Sequence, residues 1–227
     1  MEIIPIIEKD ELARLLGADE FGTISRSTCL KIEKLKPVLE KFIKPSLYHQ
    51  NMGIDSVEKG SVHLDEGPEF KSPKLSKMLK DCDDIICYIA TLGDDIEGEI
   101  KRLMDKKHMA EAYILDAMAS AAADNMVATF HRLMKEEYKN QGKQVTLCFS
   151  PGYCDWPITE QKKVFDLLDS QDVDVDLNDS CLMTPRKSIS GVFGIHSNGE
   201  TPYNPCWDCN RTDCPARRAP KRERKTT

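Results

Sequence analysis

The sequence lacks any apolar run long enough to cross a membrane. A membrane helix needs about 18 to 20 consecutive apolar residues, and no window of the chain approaches that length. The first residues, MEIIPIIEKDELARLL, also lack the basic start and the small-residue cleavage site of a secretory signal peptide. These absences argue against a membrane-spanning or secreted protein, so we expect a cytoplasmic one.

Aromatic residues are scarce, at 7% of the chain, and apolar residues make up 40% against 31% charged residues. This apolar fraction is a little below the globular average but well above that of disordered chains. A chain of 227 residues is also long enough to bury a core, since a domain takes roughly 100 to 200 residues. We therefore expect a folded protein with a polar surface.

The motifs of several common enzyme classes are absent as well. The chain has no phosphate-binding Walker loop, no GxSxG elbow and no GxGxxG loop, and its five histidines show no HExxH spacing. The formal charge is −6 although residues 216–227, ARRAPKRERKTT, are strongly basic. Because the rest of the chain is acidic and repels nucleic acid, we do not expect a nucleic-acid partner.

Hydrophobic spacing predicts helices and a few separated strands. The predicted helices cover residues 5–16, 26–43 (with a kink or break at Pro37), 73–80, 108–141 and 158–169. The predicted strands are a hairpin within 46–64 and runs at 85–92 and 145–149. Because the helices bracket the strands without strict alternation, we expect an α+β fold with a mostly antiparallel sheet and a long central helix.

The long helix carries a polar line on one face. Asp116, Ser120 and Asp124 recur at four-residue intervals, which aligns them along the helix. Alanines such as Ala119 and Ala123 flank this line and would let a flat, bulky cofactor on another protein approach closely. The line is either a solvated helix face or a face on which Ser120 and Asp124 contact a ligand.

The segment SPGYCDWP, residues 150–157, is a Pro-Gly turn between a predicted strand and a predicted helix. Free backbone N–H groups in such a turn suit an anion or a polar cofactor. Trp156 is expected to anchor the turn in the core.

Four pieces of the sequence resemble, in order, the activation domain of cobalamin-dependent methionine synthase. They are TLGDDIE from Thr91, LDAMASAAAD from Leu115, FSPGYCDWPITEQKKVFDLL from Phe149 and MTPRKSISGVFGIHSNGETPY from Met183. The resemblance covers roughly residues 1–203 and is strongest to stand-alone versions of the domain from anaerobic microbes. It implies the α+β fold of that family.

The resemblance also implies a function. In the family, the domain holds S-adenosylmethionine over a corrinoid that has fallen to the inactive Co(II) state. One low-potential electron gives Co(I), which the methyl group of the sulfonium then traps. The implied partners are a corrinoid protein or corrinoid methyltransferase and a low-potential electron donor, and the chain would be associated with methyl transfer.

The family signature, an Arg, three residues and then Gly-Tyr, matches this chain at Gly152 and Tyr153. Ser150 fits the intervening turn, and the acid of the family's helix corresponds to Asp124. With Ser120 from the polar line, these are the residues implied to bind S-adenosylmethionine.

One position departs from the signature, because Cys148 stands where the family has the arginine. An arginine is the natural bidentate partner of the methionyl carboxylate, and a thiol supplies neither its charge nor its geometry. We therefore expect weak or absent binding of S-adenosylmethionine unless Arg186 or Lys187 replaces it.

Three of the nine cysteines, Cys206, Cys209 and Cys214, form a C-x2-C-x4-C cluster. Without an export signal, clustered thiols point to metal ligands, and they suit a four-iron cluster or zinc. A fourth ligand is missing locally. It is a distant thiol (Cys148, Cys154 or Cys181), an exogenous ligand, or absent. A reduced tail without metal is the alternative.

The cluster gives the predicted organisation: an activation-domain-like module at 1–203, a cysteine-rich metal-binding segment at 204–215 and a disordered basic tail at 216–227. It also gives a second functional hypothesis. On this reading the chain is an iron-sulfur or zinc accessory protein that transfers electrons and no longer binds S-adenosylmethionine.

Overall fold

The computed structural model describes residues 3–197 (without the side chain of residue 170), 203–209, 211, 214 and 219. The helices are α1 (Lys9–Leu15), α2 (Arg26–Phe42), α3 (Pro73–Leu79), α4 (Asp95–Asp105), α5 (Met109–Asn140) and α6 (Gln161–Leu168). The strands are β1 (Ser46–Glu58), β2 (Ser61–Leu64), β3 (Glu69–Lys71), β4 (Asp84–Thr91), β5 (Gln144–Val145), β6 (Asp176–Leu177), β7 (Met183–Thr184) and β8 (Ser188–His196).

Six strands form one sheet in the order β3-β2-β1-β4-β8-β5, and β6 pairs with β7. β2 runs antiparallel to both β1 and β3, and β5 runs antiparallel to β8. The β1–β2 turn contains Gly60 at φ +102, a left-handed backbone conformation that favours glycine. The α+β class with an antiparallel sheet and a long helix is thus confirmed.

Local capping explains why two of the predicted helices begin where they do. The Ser72 hydroxyl accepts a hydrogen bond from the Leu75 backbone N–H at 3.0 Å, and Pro73 follows at the first helical position. The Ser25 hydroxyl caps α2 in the same way, through the Thr28 N–H at 3.2 Å. Of the kink or break expected at Pro37, the break does not occur, since α2 continues through this residue.

The buried face of α2 accounts for this continuity. Ile32, Leu35 and Leu39 all lie in the core. Tertiary packing of an apolar face supplies most of the stability of a helix in a protein. It therefore offsets the hydrogen bond that Pro37 cannot donate.

Several elements differ from the sequence prediction. The predicted strand at 145–149 shortens to β5 and a single bridge between Phe149 and Val192. The predicted helix at 158–169 begins later, as α6, and Ile158 is exposed in a 3-10 turn before it. α4 and β8 were not predicted. β8 contains Gly194, although glycine weakens a strand. Packing requires it, because a Cβ at this position would lie 2.4 Å from Leu79 Cδ2.

The chain divides into two compact units. The first contains Met1–His49, Tyr88–Leu133 and Leu168–Ser190, and the second contains Gln50–Cys87, Met134–Leu167 and Gly191–Thr227. The predicted boundaries at 203 and 215 stay a prediction, and apart from residue 219 the basic tail lies outside the described residues.

The core of the first unit is built around α5. Apolar residues at helical spacing form one stripe along this helix. Leu133 is half-buried, and the other members are buried: Leu115, Met118, Ala122, Met126 and Phe130. The rings of His49 and Tyr88 pack on Phe130 at centroid distances of 5.1 and 5.9 Å.

The core of the second unit surrounds α3 and the aromatic side chains beside it. Its fully buried members include Phe70, Leu75, Leu79, Trp156 and Val164. Within the described chain, no helix is both long and apolar enough to span a membrane.

Candidate functional site

The Ser150–Tyr153 turn is closed by backbone hydrogen bonds in the second unit. Phe149 and Val192 exchange two bonds of 2.8 Å, which fix the chain as it enters the turn. The Gly152 N–H then donates to the Trp156 carbonyl at 2.8 Å. Gly152 has φ +89, and a Cβ there would lie 3.1 Å from Ile158 Cδ1, so the turn requires glycine at this position.

Trp156 anchors the turn, as predicted. Its side chain is 1% exposed. The indole ring stacks on Phe149 at 5.8 Å with an interplanar angle of 6°, and it meets Phe70 edge-on at 5.3 Å. These contacts hold the turn in one conformation.

The predicted turn residues face outward from this anchor. Ser150 is half-buried, whereas Gly152 and Tyr153 are exposed, Tyr153 at 57%. Cys148, four residues before Gly152, is half-buried. The turn therefore presents the Tyr153 ring to its surroundings. The expectation of free backbone N–H groups is wrong for Gly152 and Tyr153, which donate to the Trp156 and Ser150 carbonyls at 2.8 and 3.2 Å.

Asp155 fastens the turn to the start of α3. Its carboxylate accepts from the Ser72 hydroxyl at 2.6 Å and from the Lys74 backbone N–H at 3.2 Å. Sequence reasoning did not select Asp155. The Ser72-Pro73 pair indicates that a helix starts here with backbone N–H groups in need of acceptors. It does not indicate which distant acidic residue accepts from them.

The polar line of α5 meets Lys187 in the first unit. The Lys187 ammonium lies 2.7 Å from Asp116 Oδ1 and donates to Ser120 Oγ at 2.9 Å. The Lys187 side chain is 13% exposed and that of Asp116 is 51% exposed. Lys187, a candidate replacement for the family arginine, is thus already engaged by Asp116 and Ser120. Asp124 is exposed one turn further along.

Backbone contacts fix the segment that carries Lys187. Glu97 Oε1 accepts from the backbone N–H groups of Arg186 and Lys187, the latter at 3.2 Å. The Ser188 hydroxyl donates to Thr91 Oγ1 at 2.8 Å. Glu97 and Thr91 were not predicted as site residues, although both lie in the TLGDDIE segment that carries the resemblance.

The alanines beside the polar line are not available to a partner. Ala119 is 0% and Ala123 is 6% exposed. The expectation that they flank an open docking face is wrong, because the small side chains serve close packing within the unit. Asp116, Ser120 and Asp124 belong to the first unit, and Ser150, Gly152 and Tyr153 to the second. That the two groups share a ligand stays a prediction.

The cysteine-rich segment is also fastened to α3. Lys77 forms an ion pair with Asp208 and lies 4.2 Å from the ring centroid of Tyr203. The Tyr203 hydroxyl donates to the same Asp208 carboxylate at 3.0 Å. The hydrogen bond from Lys77 is the main cause that lowers the pKa of Asp208.

The thiols of the tail are half-buried at Cys206, Cys209 and Cys214, and Cys154 in the turn is exposed. Partial burial raises the pKa of Cys154, and the Cys209 and Cys206 thiols raise it further while Lys74 lowers it. Among the residues that the structure describes, no group of three or more His, Cys, Asp or Glu side chains is placed to hold a metal ion. The predicted three-cysteine ligand set is therefore not preassembled.

A family model described as "Vitamin B12 dependent methionine synthase, activation domain" matches residues 75–213. The chain belongs to this family. The activation-domain match includes every predicted site residue except Cys214, which lies one residue beyond it.

Among solved structures, this activation-domain chain is similar to the MetH reactivation domain bound to AdoHcy. The TM-score is 0.61 at 19% identity, over 83% of this chain and 70% of that one. At this identity the likeness shows the fold alone. No curated protein sequence matches the chain.

Proposed function

We propose that the chain is a stand-alone activator of a corrinoid protein that uses S-adenosylmethionine as methyl donor. A low-potential donor supplies one electron, the methyl group passes from the sulfonium to the reduced cobalt of the partner, and S-adenosylhomocysteine leaves. The chain binds and orients the methyl donor, and the cofactors supply the reactivity. The family match supports this assignment, and we place the activity in the cytoplasm.

The rigid Ser150–Tyr153 turn is the observation that carries the proposal. Gly152 is locked by its 2.8 Å hydrogen bond to Trp156, and Trp156 is itself buried. A turn that is ordered before binding loses little entropy when the ligand arrives. We propose that Ser150, Gly152 and Tyr153 contact the methyl donor.

The helix residues complete the proposed ligand set. Asp124 and Ser120 would supply a carboxylate and a hydroxyl to polar groups of the donor. Lys187 would hold Ser120 in place through its 2.9 Å hydrogen bond.

The function is tested anaerobically with a corrinoid protein in the Co(II) state. We expect the Co(II) absorption to disappear only when the chain, a reductant and S-adenosylmethionine are all present, with S-adenosylhomocysteine formed in equal amount. Samples that lack one component are the controls. As a positive control, a complete methionine synthase should reactivate the same corrinoid protein. If it does so and this chain leaves the spectrum unchanged, the proposal is contradicted.

Replacing Cys148 with arginine is expected to strengthen S-adenosylmethionine binding by roughly ten- to a hundredfold. A charge-assisted hydrogen bond contributes about 1.5 to 3 kcal/mol, which corresponds to that range. The Lys187 ammonium is already neutralised by Asp116 at 2.7 Å, so the wild-type chain is expected to bind weakly. Titration calorimetry measures both affinities.

Cys148→Ala is the matched control for this comparison, because it removes the thiol without adding a guanidinium. It should bind as weakly as the wild type. Tight wild-type binding that the arginine variant weakens would show that the missing arginine does not limit affinity.

The cysteine segment supports a second candidate function, an iron-sulfur or zinc accessory protein. Cys206 and Cys209 stand on one tight turn, in which the Cys209 N–H donates to the Cys206 carbonyl at 3.4 Å. We propose a metal centre on Cys206, Cys209 and Cys214. A four-iron cluster would make the chain an electron donor, whereas zinc has no redox chemistry.

Replacing Cys209 with serine is expected to remove most of the bound metal, because serine does not replace a thiolate ligand for these soft metals. Iron, sulfide and zinc are measured after anaerobic purification. The matched control is Cys29→Ser, since Cys29 is a half-buried thiol in α2 of the other unit. Equal metal content in both variants would contradict the proposed metal centre.

A further inference from the structure

Two polar anchors fasten the turn and the cysteine segment to the same short helix. Asp155 is held at the start of α3, by the Ser72 hydroxyl at 2.6 Å and the Lys74 N–H at 3.2 Å. Asp208 is held by the Lys77 ammonium. Ser72 caps α3, and Lys74 and Lys77 both lie within this seven-residue helix, so the two anchors are about one helical turn apart. The turn and the segment therefore meet beside α3.

The cysteines adjoin these anchors in sequence. Cys154 directly precedes Asp155, while Cys206 and Cys209 stand on either side of Asp208. After burial, the nearby Cys206 and Cys209 thiols contribute to raising the pKa of the Cys154 thiol. Cys154 in turn contributes to raising the pKa of the nearby Tyr203 hydroxyl. Residues about fifty positions apart in the chain thus converge on one place.

We propose that Cys154 binds the same metal centre as Cys206 and Cys209, with Cys214 as the fourth thiolate. This inference rests on the metal centre proposed above and supplies the ligand that the C-x2-C-x4-C spacing lacks. Four thiolates complete either a tetrahedral zinc site or the ligand set of an iron-sulfur cluster. The chemical class is therefore a soft, thiolate-ligated metal centre.

Metal binding would have to draw the four sulfurs together, because the described side chains form no ready-made set of three ligands. Each thiol loses its proton as it binds, and zinc holds its sulfur ligands at about 2.3 Å. Four thiolates around Zn²⁺ leave two net negative charges. The Lys74 ammonium, which lies within electrostatic range of Cys154, favours this charge.

The test compares the full chain purified anaerobically as wild type, Cys154→Ser, Cys209→Ser and Cys29→Ser. Iron, sulfide and zinc are measured directly, and Zn²⁺ affinity is measured by competition with a coloured chelator. We expect Cys154→Ser to lose metal as Cys209→Ser does, with Zn²⁺ affinity weakened roughly tenfold or more. Cys29→Ser should match the wild type.

Alkylation of the wild-type chain tests the same ligand without a substitution. Cys154 is exposed, so mass spectrometry should find it modified rapidly in metal-free protein and slowly in protein loaded with Zn²⁺. Removal of the metal by a chelator should restore the rapid rate. This measurement decides the question even if Cys154→Ser does not fold.

The outcomes separate this inference from the metal centre itself. If Cys154→Ser keeps wild-type metal content and Zn²⁺ affinity while Cys209→Ser loses them, Cys154 is not a ligand and only the inference fails. If the wild-type chain binds neither Zn²⁺ nor iron and sulfide, both the inference and the proposed centre fail.

Discussion

Replacing Trp156 with alanine is expected to lower the free energy of unfolding by about 3 to 5 kcal/mol. The indole is 1% exposed and is packed between Phe149 and Phe70, so the substitution leaves a large cavity at the base of the turn. Urea denaturation measures the loss. We also expect the turn to lose its single conformation, which would weaken any ligand that it binds.

Trp156→Phe separates packing from polarity in this result. The buried indole N–H has no hydrogen-bond partner among the residues that the structure describes, so its removal costs no hydrogen bond. The phenylalanine variant should therefore lose clearly less stability than the alanine variant. An alanine variant as stable as the wild type would mean that Trp156 does not anchor the turn.

Replacing Ala119 with lysine is expected to destabilise the chain by about 3 kcal/mol or more, and in a domain of ordinary stability to unfold much of it. Ala119 is 0% exposed, so the new ammonium would be buried without a partner. The helix propensity of lysine is among the higher ones, so lysine itself does not disfavour the helix. The loss therefore reports burial and not helix propensity.

Ala128→Lys is the matched control, because Ala128 is an exposed alanine on the same helix. Its stability should stay within about 0.5 kcal/mol of the wild type. Thermal unfolding followed by circular dichroism compares the two variants. Equal stability would restore the hypothesis that the alanines beside Asp116, Ser120 and Asp124 form an open face.

Elements with strong local signals were predicted well. The helix expected at 108–141 is observed at Met109–Asn140, because its apolar residues keep one period over many turns and Gly142 provides a left-handed stop at φ +74. α4 was missed although Ile96, Ile100 and Leu103 carry the helical spacing and are buried. β8 was missed because Gly191 and Gly194 interrupt its apolar run.

The turn was predictable and its supports were not. A Pro-Gly pair between a strand and a helix is a local signal, and it placed Ser150, Gly152 and Tyr153 correctly on a turn. The pairs Ser72–Asp155 and Ser120–Lys187 join residues 83 and 67 positions apart. No local spacing encodes such pairs, because they depend on how distant elements pack.

The edge strands of the six-stranded sheet bear on how another chain can bind. β3 covers three residues and β5 covers two, and they occupy the two ends of the strand order. A strand from another protein, or from a second copy, could extend the sheet at either edge strand over only two or three residues. Short edges protect sheets from aggregation. We expect a partner to recognise side chains on this chain and not to add a strand to its sheet.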